Sequence, residues 1–315
     1  MARTVAIVLN WRTPDMTRRC VESLLVLRAD LDIVVVDNAS GDGSLNTLAE
    51  DLRQSAALAG YDLVVGSPPS MDRERQRLFL LDAGRNGGYA YGNNFGIKFA
   101  LKNCEFDYIW ILNSDTFVPE ANSLTALVDK MATNPKIGLC GSCVVYSSNP
   151  TKVQTLGGGA FDKRWGKCWQ IGQGTSIHDV LEESEVERKI DYVNGACCFV
   201  RKAVIDKSGF MDEGYFLYYE EIDWAMVVQQ DFKIGFCANS VVHHDVGGTI
   251  GTEDLGIRST TSTYYLTRSR ARFLFRRSRT SLPCAYLDLA RELAQQIKRR
   301  RWAAAWAMTR GMLLL

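Results

Sequence analysis

The chain lacks any long apolar run. Its N-terminal stretch, Val5 to Leu9, ends after five residues at Asn10, short of the ~7–15 that the core of a secretory leader needs. The longest other stretch, Trp302 to Leu315, has 14 residues and is interrupted by Thr309, Arg310 and Gly311. A spanning helix needs about 18 or more. The expectation is a cytoplasmic chain that is not integral to a membrane. Histidine is scarce, with three in all. Of these His178 has no supporting context and reads as a surface residue. Cysteine pairing signals are absent: the nine cysteines are odd in number and sit mostly in apolar runs, as buried free thiols do in a reducing compartment. Cys140 and Cys143 have redox-motif spacing, but no second pair completes a zinc site. There is no G-x-G-x-x-G fingerprint and no Walker loop, which weighs against a dinucleotide-dependent dehydrogenase. Strong charge of one sign is also missing. A formal net charge of +1 over 315 residues argues against a uniformly polyanion-coating surface. With 46% hydrophobic and 23% charged residues, the chain is an ordinary globular protein of one large or two modest domains.

What is present is an alternation of strand and helix signals over the first ~135 residues. Val5–Leu9, Ile33–Val36, Leu78–Leu81 and Tyr108–Leu112 are short, apolar and strand-like. Between them lie helical stripes: Cys20, Val21, Leu24, Leu25 and Leu27, and later Leu45, Leu48, Ala49 and Leu52. A further stripe follows at Leu124, Leu127, Val128 and Met131. Thr13-Pro14 supplies a helix start. Such alternation predicts a mostly parallel α/β sheet with helices on both faces, and ligands at the carboxyl ends of its strands. The polar segment 66–77 reads as a loop, and 157–191 as an irregular hairpin region over the open end of the sheet.

Polar clusters follow the apolar strands. Asp37-Asn38-Ala39-Ser40 can accept hydrogen bonds from a base or ribose, or simply cap a turn. Asn86-Gly87-Gly88-Tyr89 through Gly96 could bring backbone close to a phosphate or sugar; a plain glycine turn fits as well. Asn113-Ser114-Asp115 places two oxygen-bearing side chains where a hard divalent cation could bridge a diphosphate, or forms an ordinary turn. Glu220-Glu221-Ile222-Asp223 follows an aromatic run. Three carboxylates in four residues repel one another, as around a general base, yet acids also favour helix starts. His243-His244 could offer nitrogen to a metal or a donor to a leaving phosphate.

Taken in order, these segments resemble the family-2 inverting glycosyltransferases of GT-A fold, and within them the bacterial rhamnosyltransferase-type enzymes. The segments are VAIVLNW, VVVDNASGDGS, RNGGYAYGNNFGI, WILNSDT, VNGACCFVRKAV, GFMDEGYFLYYEEIDW, VVHHDVGGT and YYLTRSRARF. The resemblance implies two abutting Rossmann-like halves around a mostly parallel sheet. Residues 1–135 would form the nucleotide-binding half, 136–257 the acceptor and catalytic half, and 258–315 a basic helical extension. It implies that Asn10, Asp37, Asn38, Ser40, Asn86, Gly88, Asn94, Asn113 and Ser114 line the donor site. Asp115 would be the main ligand for Mg²⁺ or Mn²⁺, because the family's D-x-D begins here with Asn; His244, which fits H-x-x-G-G-T, would assist. Gly195, Ala196 and Trp224 would lie by the sugar and acceptor. Glu221 would be the catalytic base, supported by Glu220 and Asp223. The implied reaction is one displacement with inversion, moving a sugar from a nucleoside diphosphate to a hydroxyl. dTDP-L-rhamnose is favoured slightly over a UDP-hexose. The absence of Q-x-x-R-W and of spans disfavours a processive synthase. Two departures stand out. Val227 occupies the slot of an arginine in E-D-x-D-x-x-x-R, a loss that bears on how the acidic cluster is held unless another arginine replaces it and that keeps open a silent binding subunit, and Phe210-Met211-Asp212-Glu213 shifts the usual G-F-D-E. A sugar-phosphate nucleotidyltransferase would want a glycine-rich basic loop where Asn10-Trp11-Arg12 stands.

The near-zero charge hides a division. Residues 258–315 hold thirteen Arg or Lys and two acids, net +11, whereas the other 257 residues carry net −10. Aromatic residues, Trp302 and Trp306 among them, lie between the cations. This predicts docking on the anionic inner face of the plasma membrane, near a polyprenyl-diphosphate-linked acceptor, rather than nucleic-acid binding. A solvated basic helix face is the plainer alternative.

Overall fold

The computed structural model describes residues 2–27, 29–66, 75–179, 181–245 and 258–313. The first half runs β1 (Thr4–Asn10), α1 (Pro14–Leu25), β2 (Leu31–Asp37), α2 (Ser44–Gln54), β3 (Tyr61–Val65), β4 (Gln76–Asp82), α3 (Gly88–Asn103), β5 (Tyr108–Asn113), β6 (Thr116–Phe117) and α4 (Ser123–Thr133). The second runs β7 (Ile137–Tyr146), β8 (Asn149–Leu156), β9 (Gly158–Asp162), β10 (Lys167–Gln170), α5 (Glu183–Glu187), β11 (Tyr192–Val193), β12 (Cys197–Arg201), α6 (Lys202–Ser208), α7 (Glu220–Val228) and β13 (Lys233–His244). Three helices follow: α8 (Thr260–Arg277), α9 (Leu282–Lys298) and α10 (Trp302–Leu313).

One ten-stranded sheet holds both halves, in the order β3-β4-β2-β1-β5-β12-β7-β13-β6, with β8 on β7. The strands from β3 to β5 are parallel. β12 is antiparallel to both β5 and β7 and joins the halves. β9, β10 and β11 form a small separate sheet, so the 157–191 region contains the hairpin β9–β10.

The two-residue period of each strand divides the core into two layers. Val5 and Ile7 face one layer with Val34, Val36, Phe79 and Leu81, together with apolar residues of α3, α7 and α8. Ala6 and Val8 face the other with Ile33, Val35, Leu78 and Leu80, together with α1, α2 and α4. A strand covered on both sides must be apolar throughout, which is why these runs show no alternation. The same period separates Cys140 from Cys143. Three residues apart on β7, they enter opposite layers, and burial raises both thiols. They are packing residues, not a redox pair.

Two strands extend beyond their apolar signals. β4 begins at Gln76, because the buried Arg77 pairs with Asp32 of β2 through its backbone N–H at 2.9 Å and its guanidinium at 3.0 Å. Most of the expected 66–77 loop, residues 67–74, lies outside the described residues. β3 is a half-exposed edge strand whose mixed sequence does not single it out. The glycines of α3 serve packing: a Cβ at Gly92 would meet Leu9 Cδ1 at 2.3 Å, and one at Gly96 would meet Ile7 Cγ2 at 2.8 Å. They let the helix lie close on β1.

Candidate active site

The carboxyl ends of β1, β2 and β5 meet in one polar cluster. Asn10 and Asp37 end adjacent strands in direct register. Asn10 Nδ2 donates to Asp37 Oδ1 at 2.6 Å. The Ser40 hydroxyl and backbone N–H donate to the same carboxylate at 2.6 and 2.9 Å. Asn10 Oδ1 in turn accepts from the Thr17 hydroxyl at 2.7 Å. Arg12 closes the loop, its backbone N–H donating to Ser40 Oγ at 2.8 Å and its Nε to the Ser40 carbonyl at 3.1 Å. Arg12 and Ala39 both have positive φ, 58° and 53°, a sparsely populated conformation that persists where the surroundings enforce it. Asn38 donates to Asn86 Oδ1 at 3.2 Å and to the Gly88 carbonyl at 3.1 Å. Its own Oδ1 is enclosed without a partner, so one acceptor remains open there.

Ser114 is buried and its hydroxyl lies 3.2 Å from that of Thr13. Thr13 therefore does not cap α1 with its side chain. Asn113 is tied through its backbone N–H to the Ala196 carbonyl at 3.1 Å. Asp115 meets His244, with Nε2 3.2 Å from Oδ1. His243 points the other way, its ring edge-on to Phe117, as neighbours on a strand must. The glycines expected to follow His244, Gly247 and Gly248, lie outside the described residues. His244 Nδ1 is 2.8 Å from Gln154 Oε1. The imidazole and the carboxylate bring one nitrogen and one oxygen donor together at the ends of β13 and β5. A divalent cation fits this pair: such ions take one or two protein ligands and complete their shell with water and phosphate oxygens. Among the described residues no cluster of three or more His, Cys, Asp or Glu forms a closed metal cage.

The acid cluster opens α7. Tyr218 and Tyr219, immediately before it, both adopt positive φ, 68° and 71°. A tyrosine in that region is strained by about 1–3 kcal/mol. It is held there by buried contacts: the Tyr219 hydroxyl donates to the Gly166 carbonyl, and that of Tyr218 lies 3.0 Å from Ser262 Oγ on α8. This kink aims Glu220 and Glu221 inward. Each has an enclosed Oε2 with no hydrogen-bond partner. Burial pushes the Glu221 carboxyl up to about 7. Burial and then the charge of Glu221 push Glu220 well above the usual carboxylate range. Burial raises Tyr89, Tyr192, Cys168 and Cys198, and the nearby Glu221 charge adds to the rise in each. Asp223 is different. Arg277 of α8 donates to both its oxygens, Nη2 to Oδ2 at 3.1 Å.

The remaining expected residues divide. Gly195 accepts a 2.5 Å hydrogen bond from the Tyr89 hydroxyl at its carbonyl, which ties the β11–β12 loop to α3 beside the acid cluster. Gly88 must be glycine because a Cβ there would lie 2.1 Å from the Phe216 carbonyl oxygen; it is a junction between the halves. Asn94 is not presented to a donor. Its amide clamps the Met211 backbone and Glu213, at 2.8–3.2 Å, with 1% of its surface exposed. Trp224 is buried with its indole N–H on the Gly209 carbonyl at 3.0 Å, so it anchors α7. Sequence reasoning missed Arg12, Thr17, the Tyr89 hydroxyl, Gln154 and Arg277. Tyr89 stood inside a quoted motif; Gln154 and Arg277 carry no local signal.

A sequence model of glycosyl transferase family 2 matches residues 5–208, well over half of the chain. The chain belongs to glycosyl transferase family 2. Family relatives with assigned roles are similar to it. A low-salt glycan biosynthesis hexosyltransferase of Haloferax volcanii is 24% identical over 218 residues, 66% of this chain and 64% of that protein. The N-acetylglucosaminyl-diphospho-decaprenol L-rhamnosyltransferase of Mycobacterium tuberculosis is 26% identical over 191 residues, 56% of this chain and 61% of that one. The chain thus spans less than two thirds of the length of these relatives. Among solved structures, a Pyrobaculum calidifontis mannosyltransferase in complex with GDP-Man and Mn²⁺ superposes with a TM-score of 0.56 at 13% identity, covering 98% of this chain and 86% of that one. Staphylococcus aureus TarS residues 1–349 with UDP-GlcNAc gives 0.51 at 13% identity, covering 85% and 65%. These likenesses establish the GT-A fold expected from the sequence.

Proposed function

We propose that this family-2 member is a non-processive, inverting glycosyltransferase of glycan assembly. It moves a sugar from a nucleoside diphosphate to a hydroxyl of a glycan or polyprenyl-diphosphate-linked acceptor. Glu221 carries the proposal: an inward carboxyl with an unanswered oxygen, raised by burial to about 7, is the kind of group that works as a general base near neutral pH. Glu221 takes the acceptor hydroxyl proton as that oxygen bonds to the anomeric carbon. The bond from that carbon to the diphosphate breaks on the opposite face, and the nucleoside diphosphate departs with its electron pair. Asp37, Asn38 and the Asn10–Ser40 network position the nucleoside. Asp115 and His244 would hold Mg²⁺ or Mn²⁺, which when bound neutralises charge on the diphosphate. Arg277 on Asp223 supports the enzyme reading over a silent subunit, because an arginine partner for that acid is present despite Val227.

L-rhamnose from dTDP-rhamnose is the favoured donor, supported by the mycobacterial relative; a UDP-hexose is the alternative. Peripheral attachment at the cytoplasmic face of the plasma membrane belongs to the same proposal. No helix among the described residues is long and apolar enough to cross a membrane. Trp302, Trp306 and Leu313 are exposed on α10, next to Arg299, Arg300 and Arg301, an arrangement suited to an anionic interface. The test is a thermal-shift panel of nucleoside diphosphates with Mn²⁺, followed by transfer from dTDP-rhamnose and UDP-hexoses. A dTDP-dependent rise in Tm and inverted product are expected. A melt indifferent to every nucleoside diphosphate overturns the proposal. Vesicle co-sedimentation that ignores both salt and anionic lipid removes the membrane part.

A further inference from the structure

Helix α8 belongs to the basic extension in sequence, but its cations do not face outward together. Arg270 is buried, donating to the Trp165 carbonyl at 3.0 Å and to Asp288 at 2.7 Å. Arg272 and Arg276 both approach Asp212, in the loop before α7. Arg277 grips Asp223 from 54 residues away. Phe273 and Leu274 lie in the same core layer as Ile222 and Ala225 of α7. So α8 is tied to the start of α7 by the Arg277–Asp223 ion pair and by the Phe273 ring, 5.6 Å from that of Tyr219, and to the preceding loop through Asp212.

Asp223 is 2% exposed. A carboxylate so buried needs a partner, because an uncompensated charge out of water is strongly destabilising. Asp223 is one turn beyond Glu220 on the same helix, and its backbone N–H closes the first turn onto the Tyr219 carbonyl at 2.9 Å. Residues three apart on a helix are neighbours, so an unpaired Asp223 would add its charge to a cluster that already holds two inward carboxyls. On this basis we infer that Arg277 is a positioning residue for the transfer reaction, acting through Asp223 to hold the first turn of α7 and the Glu220–Glu221 pair; this rests on the glycosyltransferase function proposed above. The extension therefore completes the active site.

The spacing offers a direct test. Residue 227 lies four after Asp223, one helical turn along, so an arginine placed there can reach the same carboxylate from within α7. The full chain would be compared as Arg277→Met, Arg277→Lys and the double variant Arg277→Met/Val227→Arg. Arg277→Met should lower kcat at least tenfold with donor KM within twofold. The double variant should recover most of that loss, and Arg277→Lys part of it. In ¹³C-carboxyl spectra, with Glu221 assigned through Glu221→Gln, the Glu221 midpoint should move upward in Arg277→Met and return in the double variant. An unchanged kcat in Arg277→Met, or a loss that neither arginine relocation nor lysine repairs, overturns the inference. Should the wild-type chain transfer no sugar at all, the function proposal fails, while the Glu221 midpoint still decides this one: an unmoved midpoint overturns it.

Discussion

The two ends of the site are built on opposite principles. At the donor end, Asn10, Asp37 and Ser40 satisfy one another: the carboxylate accepts from an amide, a hydroxyl and a backbone N–H. At the acid end, Glu220 and Glu221 each keep an enclosed oxygen that nothing answers. A closed hydrogen-bond network fixes shape; an open, desolvated carboxyl stores reactivity. Under the proposed function, the donor end is a rigid socket and the acid end is where the proton moves.

The sharpest way to break this contrast is Glu221→Gln. It keeps the volume and removes the base, so kcat should fall by roughly 10²–10⁴-fold with nucleotide binding retained. The same variant carries a stability signature. Glu221 is raised in the folded chain, so its protonated form contributes stability that is lost as pH rises through about 7. Glu221→Gln should melt a few degrees above wild type at pH 8 and level with it at pH 5, by calorimetry. Asp37→Asn probes the socket. Replacing an acceptor by a donor breaks the network, and should weaken nucleoside diphosphate binding by about 10-fold in titration calorimetry and lower stability by about 1–3 kcal/mol. The smallest effect should come from Gln154→Leu, which frees the His244 ring; weaker Mn²⁺ binding by a few-fold is expected, read by the Mn²⁺ dependence of the thermal shift.

Much of the socket was legible in the sequence, because its parts end strands. Asp37, Asn113 and Asp115 stand directly after apolar runs, and parallel topology brings strand ends together. The acid cluster was legible for the same reason of contiguity: three acids in four residues announce themselves. What failed was the meaning of residues whose partners are distant. Gly92 and Gly96 suggested a phosphate cradle, yet they make room for Leu9 and Ile7. Asn94 suggested a donor contact, yet it binds a loop 117 residues on. Arg277 looked like one more cation in a basic tail. Composition could count that charge but could not say which acid it would meet. Gln76 and Arg77 sit at the end of the polar 66–77 segment yet open β4, because Asp32 on β2 pairs with the buried Arg77.

The Asp223–Arg277 pair also sets an order in time. The Asn10–Asp37–Ser40 network is supplied within the first 40 residues, whereas Asp115 waits for His244 and Asp223 waits for an arginine 54 residues further along. At the ribosome's pace of about 5–20 residues per second, that gap is roughly 3–10 s. During it the chain can already fold its nucleotide end while the start of α7 still lacks its counter-charge. Synthesis thus supplies the Asn10–Asp37–Ser40 network first and the counter-charge of Asp223 last.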